Sequence, residues 1–301
     1  MESIEVIGNR KKKIIKYRYI LIVVLIIIII LLLLLLFINI IKSKNKSKIS
    51  KEELLNEPQQ IEEENKEGVM VVEVSKTEEQ QEQEAREEKE ATGVIYLTFD
   101  DGPSSDSTPQ ILDILERRNI KATFFVLHYS EANEKYIKSE QQQGHTIALH
   151  GYTHTYSEVY QSADTCIENF RKIQEQVFAT TGIKSNIIRF PGGSSNTISR
   201  KYCQGVMSEV TQRVVNEGFK YFDWNVDSDD AGHAKTSENV YNNVTAGIKP
   251  NRKNVVLMHD FAGNQKTIDA LEGIINFGLD NGYVFRRITD DTPMVTHSVN
   301  N

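Results

Sequence analysis

Val94 to Pro103 reads VIYLTFDDGP, a run of apolar, β-branched and aromatic residues that stops at two adjacent carboxylates and a Gly-Pro turn. The pattern recurs along the chain. Seven such runs stand out: Val94 to Phe99, Ala122 to Leu127, Thr146 to His150, Ile187 to Phe190, Tyr221 to Val226, Asn254 to His259 and Tyr283 to Ile288. Amphipathic stretches near 108–119, 134–143, 162–181, 197–217, 236–248 and 265–281 separate them and predict helices. Gly144, Gly182, Gly218 and Gly282 follow four of these, where a helix C-terminus favours left-handed glycine. Strict alternation of strand and helix implies a parallel sheet, either open and doubly wound or closed into a barrel. In both, chemistry gathers at the carboxyl ends of the strands. After the first run TFDDGPSS would aim two carboxylates at any phosphate, so a nucleotide-binding sheet is disfavoured. The expectation is an α/β fold, a distorted (β/α) barrel with about seven parallel strands.

The polar residues fall where that fold wants them. Asp100 and Asp101 end the first run, His150 the third and His259 the sixth; Arg189 nears the end of the fourth, and Asp227 and Asp230 follow the fifth. Asp101, His150 and His154 suit a catalytic Zn²⁺, which takes about three protein ligands and keeps a position for water. In HGYTH, His154 can swing back from the loop onto a metal held by the strand-end His150. Adjacent residues of an extended segment point to opposite faces, so Asp100 is a poor second ligand. At the bend before Gly102 it can instead turn to the attacking water as general base, while Asp106 or Ser107 caps the following helix. His259 shares a strand face with Leu257, and its imidazole suits a general acid for a leaving amine. Arg189 offers a bidentate partner for a carboxylate, and Pro191-Gly192-Gly193 a backbone able to present an N–H to an oxyanion. His128, His145, His233 and His297 are expected to be structural or surface residues, with His128 nearest the rim.

Outside this part the composition changes. Ile20 to Ile38 is an uninterrupted apolar run, long enough at ~1.5 Å per residue to cross a ~30 Å hydrocarbon core and too long for a cleaved signal. The expected organisation is a basic cytoplasmic tail at 1–18, a transmembrane anchor at 19–41, a charged Glu/Gln-rich linker or frayed helix at 42–92, the catalytic domain at 93–292 and a tail at 293–301. The first 48 residues carry a net charge of +8 against -7 for the whole chain, so the remainder is strongly acidic. That argues against a nucleic-acid partner. Cys166 and Cys203 are the only cysteines, too few for a disulfide scaffold, and read as free thiols.

With these residues in place the domain resembles the polysaccharide deacetylase family, the NodB-homology domain of carbohydrate esterase family four. The resemblance rests on five ordered motifs: Thr98 to Gly102 (TFDDG), His150 to His154 (HGYTH), Arg189-Phe190-Pro191, Asp227 to Asp230 (DSDD) and Leu257-Met258-His259. It implies Asp100 as base, Asp101, His150 and His154 as metal ligands, and His259 as acid. It further implies that Arg189 orients Asp100 and that Asp230 pairs with His259. Three positions depart from the family pattern. Gly151 stands for a Ser or Thr, Gly192 for a Tyr, and Ala231 for a Trp that walls the acetyl pocket; Trp224 or Phe261 is the available substitute.

The function this implies is metal-dependent removal of N-acetyl groups from amino sugars of a cell-surface glycan. Peptidoglycan N-acetylglucosamine ranks first, ahead of N-acetylmuramic acid, chitooligosaccharides or a glycan-binding pseudoenzyme. Zinc is the first choice of metal, with Co, Mn or Ni as alternatives. Pro191, Gly192, Leu257 and Trp224 are expected against the substrate. The expected partners are the acetylated wall glycan and, through residues 19–41, the membrane, with no protein partner implied and the catalytic domain outside the cytoplasm.

Overall fold

The computed structural model describes residues 78–301; the proposed anchor and the linker up to residue 77 lie outside them. No helix among the described residues is long and apolar enough to cross a membrane. In chain order the elements are α1 (Glu78–Glu90), β1 (Gly93–Asp100), α2 (Ser107–Arg117), β2 (Thr123–Leu127), α3 (Glu134–Gln142), β3 (Thr146–Gly151), α4 (Tyr156–Val159), α5 (Ala163–Thr181) and β4 (Ile187–Ile188). They continue with α6 (Val206–Asn216), β5 (Lys220–Tyr221), β6 (Val226–Asp227), α7 (Ser237–Gly247), β7 (Lys253–His259), α8 (Gln265–Asp280) and β8 (Tyr283–Phe285).

All strand pairings are parallel, in the order β5-β4-β3-β2-β1-β7-β6, with β8 against the start of β1. The expected seven runs become eight strands because the fifth divides. Lys220 and Tyr221 pair with β4 at one edge of the sheet, whereas Val226 and Asp227 pair with β7 at the other. One short run therefore serves both edges and draws the sheet into a curl. Residues 222–225, between the two ladders, cross the seam.

Every residue of β1 is buried, as expected of a central parallel strand covered on both faces. Alternation sorts its side chains into two layers. Ile95, Leu97 and Phe99 join the large core beneath the helices, with Ile111 and Leu115 of α2 and Leu271, Ile274 and Ile275 of α8. Val94 and Tyr96 join Phe125, Ala148, Ile187, Phe222 and Val255 in a smaller core inside the curl. Thr98 and Asp100 continue that inner row, so the polar site stands at the carboxyl end of an otherwise apolar interior.

Local sequence sets the helix ends. Asp106 caps α2 by accepting from Ser107 N at 2.9 Å, as expected. Ser162 and Thr165 form a reciprocal capping box on α5, which ends at a left-handed Gly182. The helix expected at 197–217 is shorter. Gly205, at φ 80°, precedes α6, and only a single 3₁₀ turn at Ser199–Lys201 comes before it. The loop after β4 is correspondingly long. Cys203 lies in that connection rather than in a helix, and both cysteines are free.

Of the two readings of the charged segment before the domain, the helical one describes its last part, Glu78–Glu90. Its own side chains hold it, Gln83 donating to Glu87 at 3.1 Å one turn on, and Arg286 ties it down through Glu87 at 2.8 Å and Glu88 at 3.6 Å. Thr92 N then donates to Gly282 O at 2.8 Å, so α1 lies at the amino-terminal ends of the strands, where Tyr96, His145, Lys253 and Ile288 line a cleft beside it. The tail at 293–301 lies on the domain, with Val295 and Val299 packed against the two cores.

Candidate active site

Asp100 and Asp101 both bring a carboxylate toward His150 Nε2, at 3.8 and 3.5 Å, although they are neighbours on one chain. Asp100 ends the strand pointing inward and is nearly fully buried. Asp101 adopts φ 73°, a left-handed conformation open to few side chains other than Asn, Asp and Gly, and this turns its carboxylate toward β3. Gly102 follows because there is no room for a Cβ, which would lie 2.5 Å from Asp260 Oδ2. The Asp260 carboxylate accepts from Ser107 and Thr108 at 2.5 Å each, and Asp260 N donates to Asp100 O at 2.7 Å. The loop carrying both carboxylates is thus bound to the end of β7. Burial pushes the Asp260 carboxyl up to about 7 despite those two hydroxyl donors.

His150, at the end of β3, approaches Asp101 Oδ1 to 3.5 Å through Nε2, and His154 Nε2 lies 4.0 Å from the same oxygen. One ligand atom from each of the three residues can be chosen so that all lie within 4.8 Å of one another. His150 Nδ1 is 2.9 Å from Arg189 O; since a carbonyl only accepts, Nδ1 is the donor and Nε2 keeps its lone pair for a metal. Asp101 Oδ1 is buried and finds no hydrogen-bond partner among the described residues. A buried carboxylate oxygen left bare costs about 1–3 kcal/mol or more, and a cation between two imidazoles would remove that cost. The three residues therefore fit a divalent metal, and the donor set of one carboxylate and two imidazoles suits zinc.

Arg189 lies behind Asp100 and is fully buried. Its Nη1 donates to Asp100 Oδ1 at 2.6 Å and to Thr98 Oγ1 at 2.9 Å. Nε and Nη2 donate to Phe222 O at 2.9 Å and Asp223 O at 3.1 Å, and the guanidinium sits 4.0 Å over the Phe125 ring. A buried cation needs such dense partnership.

On the other side of the cleft His259 Nδ1 meets Asp230 Oδ1 at 2.6 Å, and His259 N donates to Asp230 Oδ2 at 2.8 Å. Burial alone would lower the imidazole pKa. The bond to Asp230 and its charge, helped by Asp100 and Asp101, outweigh it and raise the pKa to about 9. Burial likewise opposes ionisation of Asp230, but the hydrogen bond and charge of His259 and the Thr267 hydroxyl draw it down to about 2. Asn264 and Thr267 complete this acceptor shell at 2.8 and 2.6 Å. Neither was legible beforehand, because both lie in the loop and first turn after β7 with no motif to mark them.

The two altered glycines are explained by what fills their places. A Cβ on Gly151, at φ 141°, would overlap the Asn169 amide of α5. That amide clamps the metal-binding loop instead, accepting from Thr153 N at 2.9 Å and donating to Thr153 O at 3.1 Å. Restoring a serine with Gly151→Ser is expected to destabilise the fold by about 1–3 kcal/mol through overpacking, with part regained in Gly151→Ser/Asn169→Ala. Denaturant midpoints of the two variants check this. Gly192, at φ 75°, has its side-chain space taken by the Tyr156 hydroxyl. Tyr156 stacks edge-on to His154 at 5.5 Å, so an aromatic ring from α4 stands beside the metal ligands.

Pro191 is buried, with its carbonyl accepting from Tyr160 at 2.7 Å, and Leu257 lies in β7 opposite Thr98. Trp224 rests on Gly193, and its indole N–H reaches Asp227 at 3.2 Å. Ala231 is exposed and supplies no wall. Among the other histidines, His145 is structural: it accepts from Ala122 N, and burial lowers its pKa to about 3. His128 is exposed and stacks on Tyr152 at 4.3 Å, placing it beside the metal-binding loop.

YheN of Bacillus subtilis (strain 168) is 31% identical over 214 residues, spanning 67% of this chain and 69% of that protein. The chain belongs to the polysaccharide deacetylase family. The family's sequence profile matches residues 86–206, covering the first three motifs. A peptidoglycan-N-acetylglucosamine deacetylase of Bacillus cereus is 30% identical over 212 residues, 66% of this chain and 70% of its own. Among solved structures, the catalytic domain of peptidoglycan N-acetylglucosamine deacetylase from Eubacterium rectale ATCC 33656 shares 40% identity and superposes with a TM-score of 0.65, over 69% of this chain and 94% of that one. The curled parallel sheet is therefore the deacetylase fold, and the Asp-His-His cluster lies where its carboxyl-end loops meet.

Proposed function

We propose that this protein hydrolyses the N-acetyl groups of amino sugars in peptidoglycan, N-acetylglucosamine first, releasing acetate. The observation that carries the reading is the juxtaposition, in one cleft, of a metal-ready Asp101-His150-His154 cluster, an Arg-held carboxylate and an Asp-held imidazole. The relatives named above as peptidoglycan deacetylases support the choice of polymer.

A divalent metal held by Asp101, His150 and His154, zinc by preference, would supply Lewis acidity toward the acetamide carbonyl and the attacking water. The protein groups then divide the proton transfers. Arg189, itself braced by the Thr98 hydroxyl, holds Asp100 so that its other oxygen can take the proton of the water as the C–O bond forms. A backbone N–H near Gly192 faces the developing oxyanion. His259, kept protonated by Asp230, gives its proton to the sugar nitrogen as the C–N bond breaks. Trp224 and Leu257 border the sugar.

An acid that must be protonated sets the alkaline limb of the pH profile. With its pKa raised to about 9, His259 keeps its proton until the pH passes that value, so kcat/KM falls only above it. Asp230→Asn removes the chief raising influence and is expected to move the limb toward neutrality. A limb unmoved in that variant, measured across pH 6 to 10, would remove His259 from the role.

Residues 19–41 serve as a single membrane anchor that places the domain outside the cytoplasm; the apolar run Ile20 to Ile38 supports this. Recovery of the chain in a membrane fraction, with the domain open to added protease, tests it. The reaction itself is tested by acetate release from purified peptidoglycan and from chitooligosaccharides by the full chain, chelated and with Zn²⁺, Co²⁺ or Mn²⁺ restored. Metal-dependent acetate is expected. A folded, metal-loaded protein inert on both substrates would overturn the proposal.

A further inference from the structure

Beyond the family motifs, the segment Val295–Asn301 is an extended strap running from Asp223 to the start of α6. Val295, His297, Val299 and Asn301 are partly buried, while Thr296, Ser298 and Asn300 between them are exposed, the period of a strand laid on a surface. Asp223 N donates to Val295 O at 2.8 Å, and Ser208 Oγ donates to Asn301 O at 2.7 Å. His297 stands at the centre. Its Nε2 lies 2.6 Å from Trp224 O, and its ring meets the Trp224 indole edge-on at 4.8 Å. A carbonyl oxygen only accepts, so Nε2 is the donor there, and Nδ1 accepts from Ser195 Oγ at 3.0 Å. His297 N donates to Asp223 Oδ2 at 2.7 Å. The buried Asp223 carboxylate also takes Ser194 N at 2.8 Å and Ser194 Oγ at 2.5 Å.

These bonds converge on residues 222–224, which cross the seam of the sheet without a ladder of their own. The same stretch supplies the Phe222 and Asp223 carbonyls that hold the Arg189 guanidinium, and Arg189 in turn holds Asp100. We propose that His297 is a positioning residue for the Arg189–Asp100 pair, locking the seam between the loop after β4 and the strap. Its partners are Ser195, Asp223 and Trp224, none of them a candidate metal ligand. The inference rests on the deacetylase reading for its kinetic consequence, whereas its structural part stands apart from it. The metal ligands come from β1, β3 and the loop after β3, outside the seam, so loss of His297 lowers kcat and leaves metal affinity in place.

Trp224 is the single tryptophan of the chain, so its fluorescence reports on the seam alone. In the full chain His297→Ala is expected to shift the emission to longer wavelength, raise acrylamide quenching and lower kcat about tenfold, the upper worth of one lost hydrogen bond. Zn²⁺ affinity stays at the wild-type value. His297→Gln, whose amide N–H can reach the Trp224 carbonyl, recovers part of kcat. Unchanged emission and kcat in His297→Ala overturn the proposal, as does a fall in Zn²⁺ affinity equal to the fall in kcat, which would mean general collapse of the site. Should His297→Ala not fold, Ser195→Ala removes only the hydroxyl bonded to the ring. It is expected to shift emission in the same direction with a smaller loss of kcat, and wild-type behaviour there overturns the proposal. If the wild-type chain releases no acetate the deacetylase reading fails, and the emission of the variants still judges the lock.

Discussion

Asp100→Asn leaves the metal site filled and slows acetate release by about 10²–10⁴-fold, the usual worth of a positioned general base. The substitution keeps the shape of the side chain and its acceptor oxygen toward Arg189, so the bond at 2.6 Å can persist and the fold is spared. What is lost is the ability to take a proton. The three candidate ligands are unchanged, and the position of Asp100 Oδ2, 3.8 Å from His150 Nε2, stays filled beside them. Zinc titration of the variant alongside acetate release checks both halves. A variant that keeps wild-type turnover would move the base elsewhere, and one that loses zinc as well would make Asp100 a ligand.

Asp101→Asn separates stability from activity. The buried Asp101 Oδ1 has no partner among the described residues, an uncompensated cost to the metal-free fold. Asparagine tolerates the φ of 73° and carries no charge, so the metal-free variant is expected to gain about 1 kcal/mol in denaturant unfolding under chelation. Zinc affinity falls by more than about 100-fold, since even outer partners of a metal site cost 10–100-fold, and acetate release falls with it. A metal-free variant less stable than the wild type would show that the carboxylate is anchored by something other than a cation.

Much of this was legible because the chemistry sits at strand ends. The apolar runs located β1, β2, β3, β4 and β7, and the polar residues that close them marked the mouth of the curl. The carboxylate pair, the HGYTH histidines and His259 gather there as expected. The run at 221–226 misled because its two halves pair with opposite edges of one sheet, and a local pattern does not say which neighbour a strand finds. Gly151 and Gly192 looked like lost groups when read along the chain. In space Asn169 and Tyr156 fill those places, a substitution of partners from α5 and α4 that carries no local signal. Asn264, Thr267 and Asp260 were missed for the same reason, being ordinary polar residues whose task is to hold a charged neighbour. His297 was read as surface or structural because only the folded chain brings it to Trp224.

The chain enters the domain through α1 and Gly93, where Arg286 fastens the entry, and every reacting group lies at the far end of β1. The domain is thus held by its handle. A pull applied through α1 is received at Thr92 and Gly93, a strand's length from the reacting atoms, so the entry of the chain and its chemistry are mechanically separate.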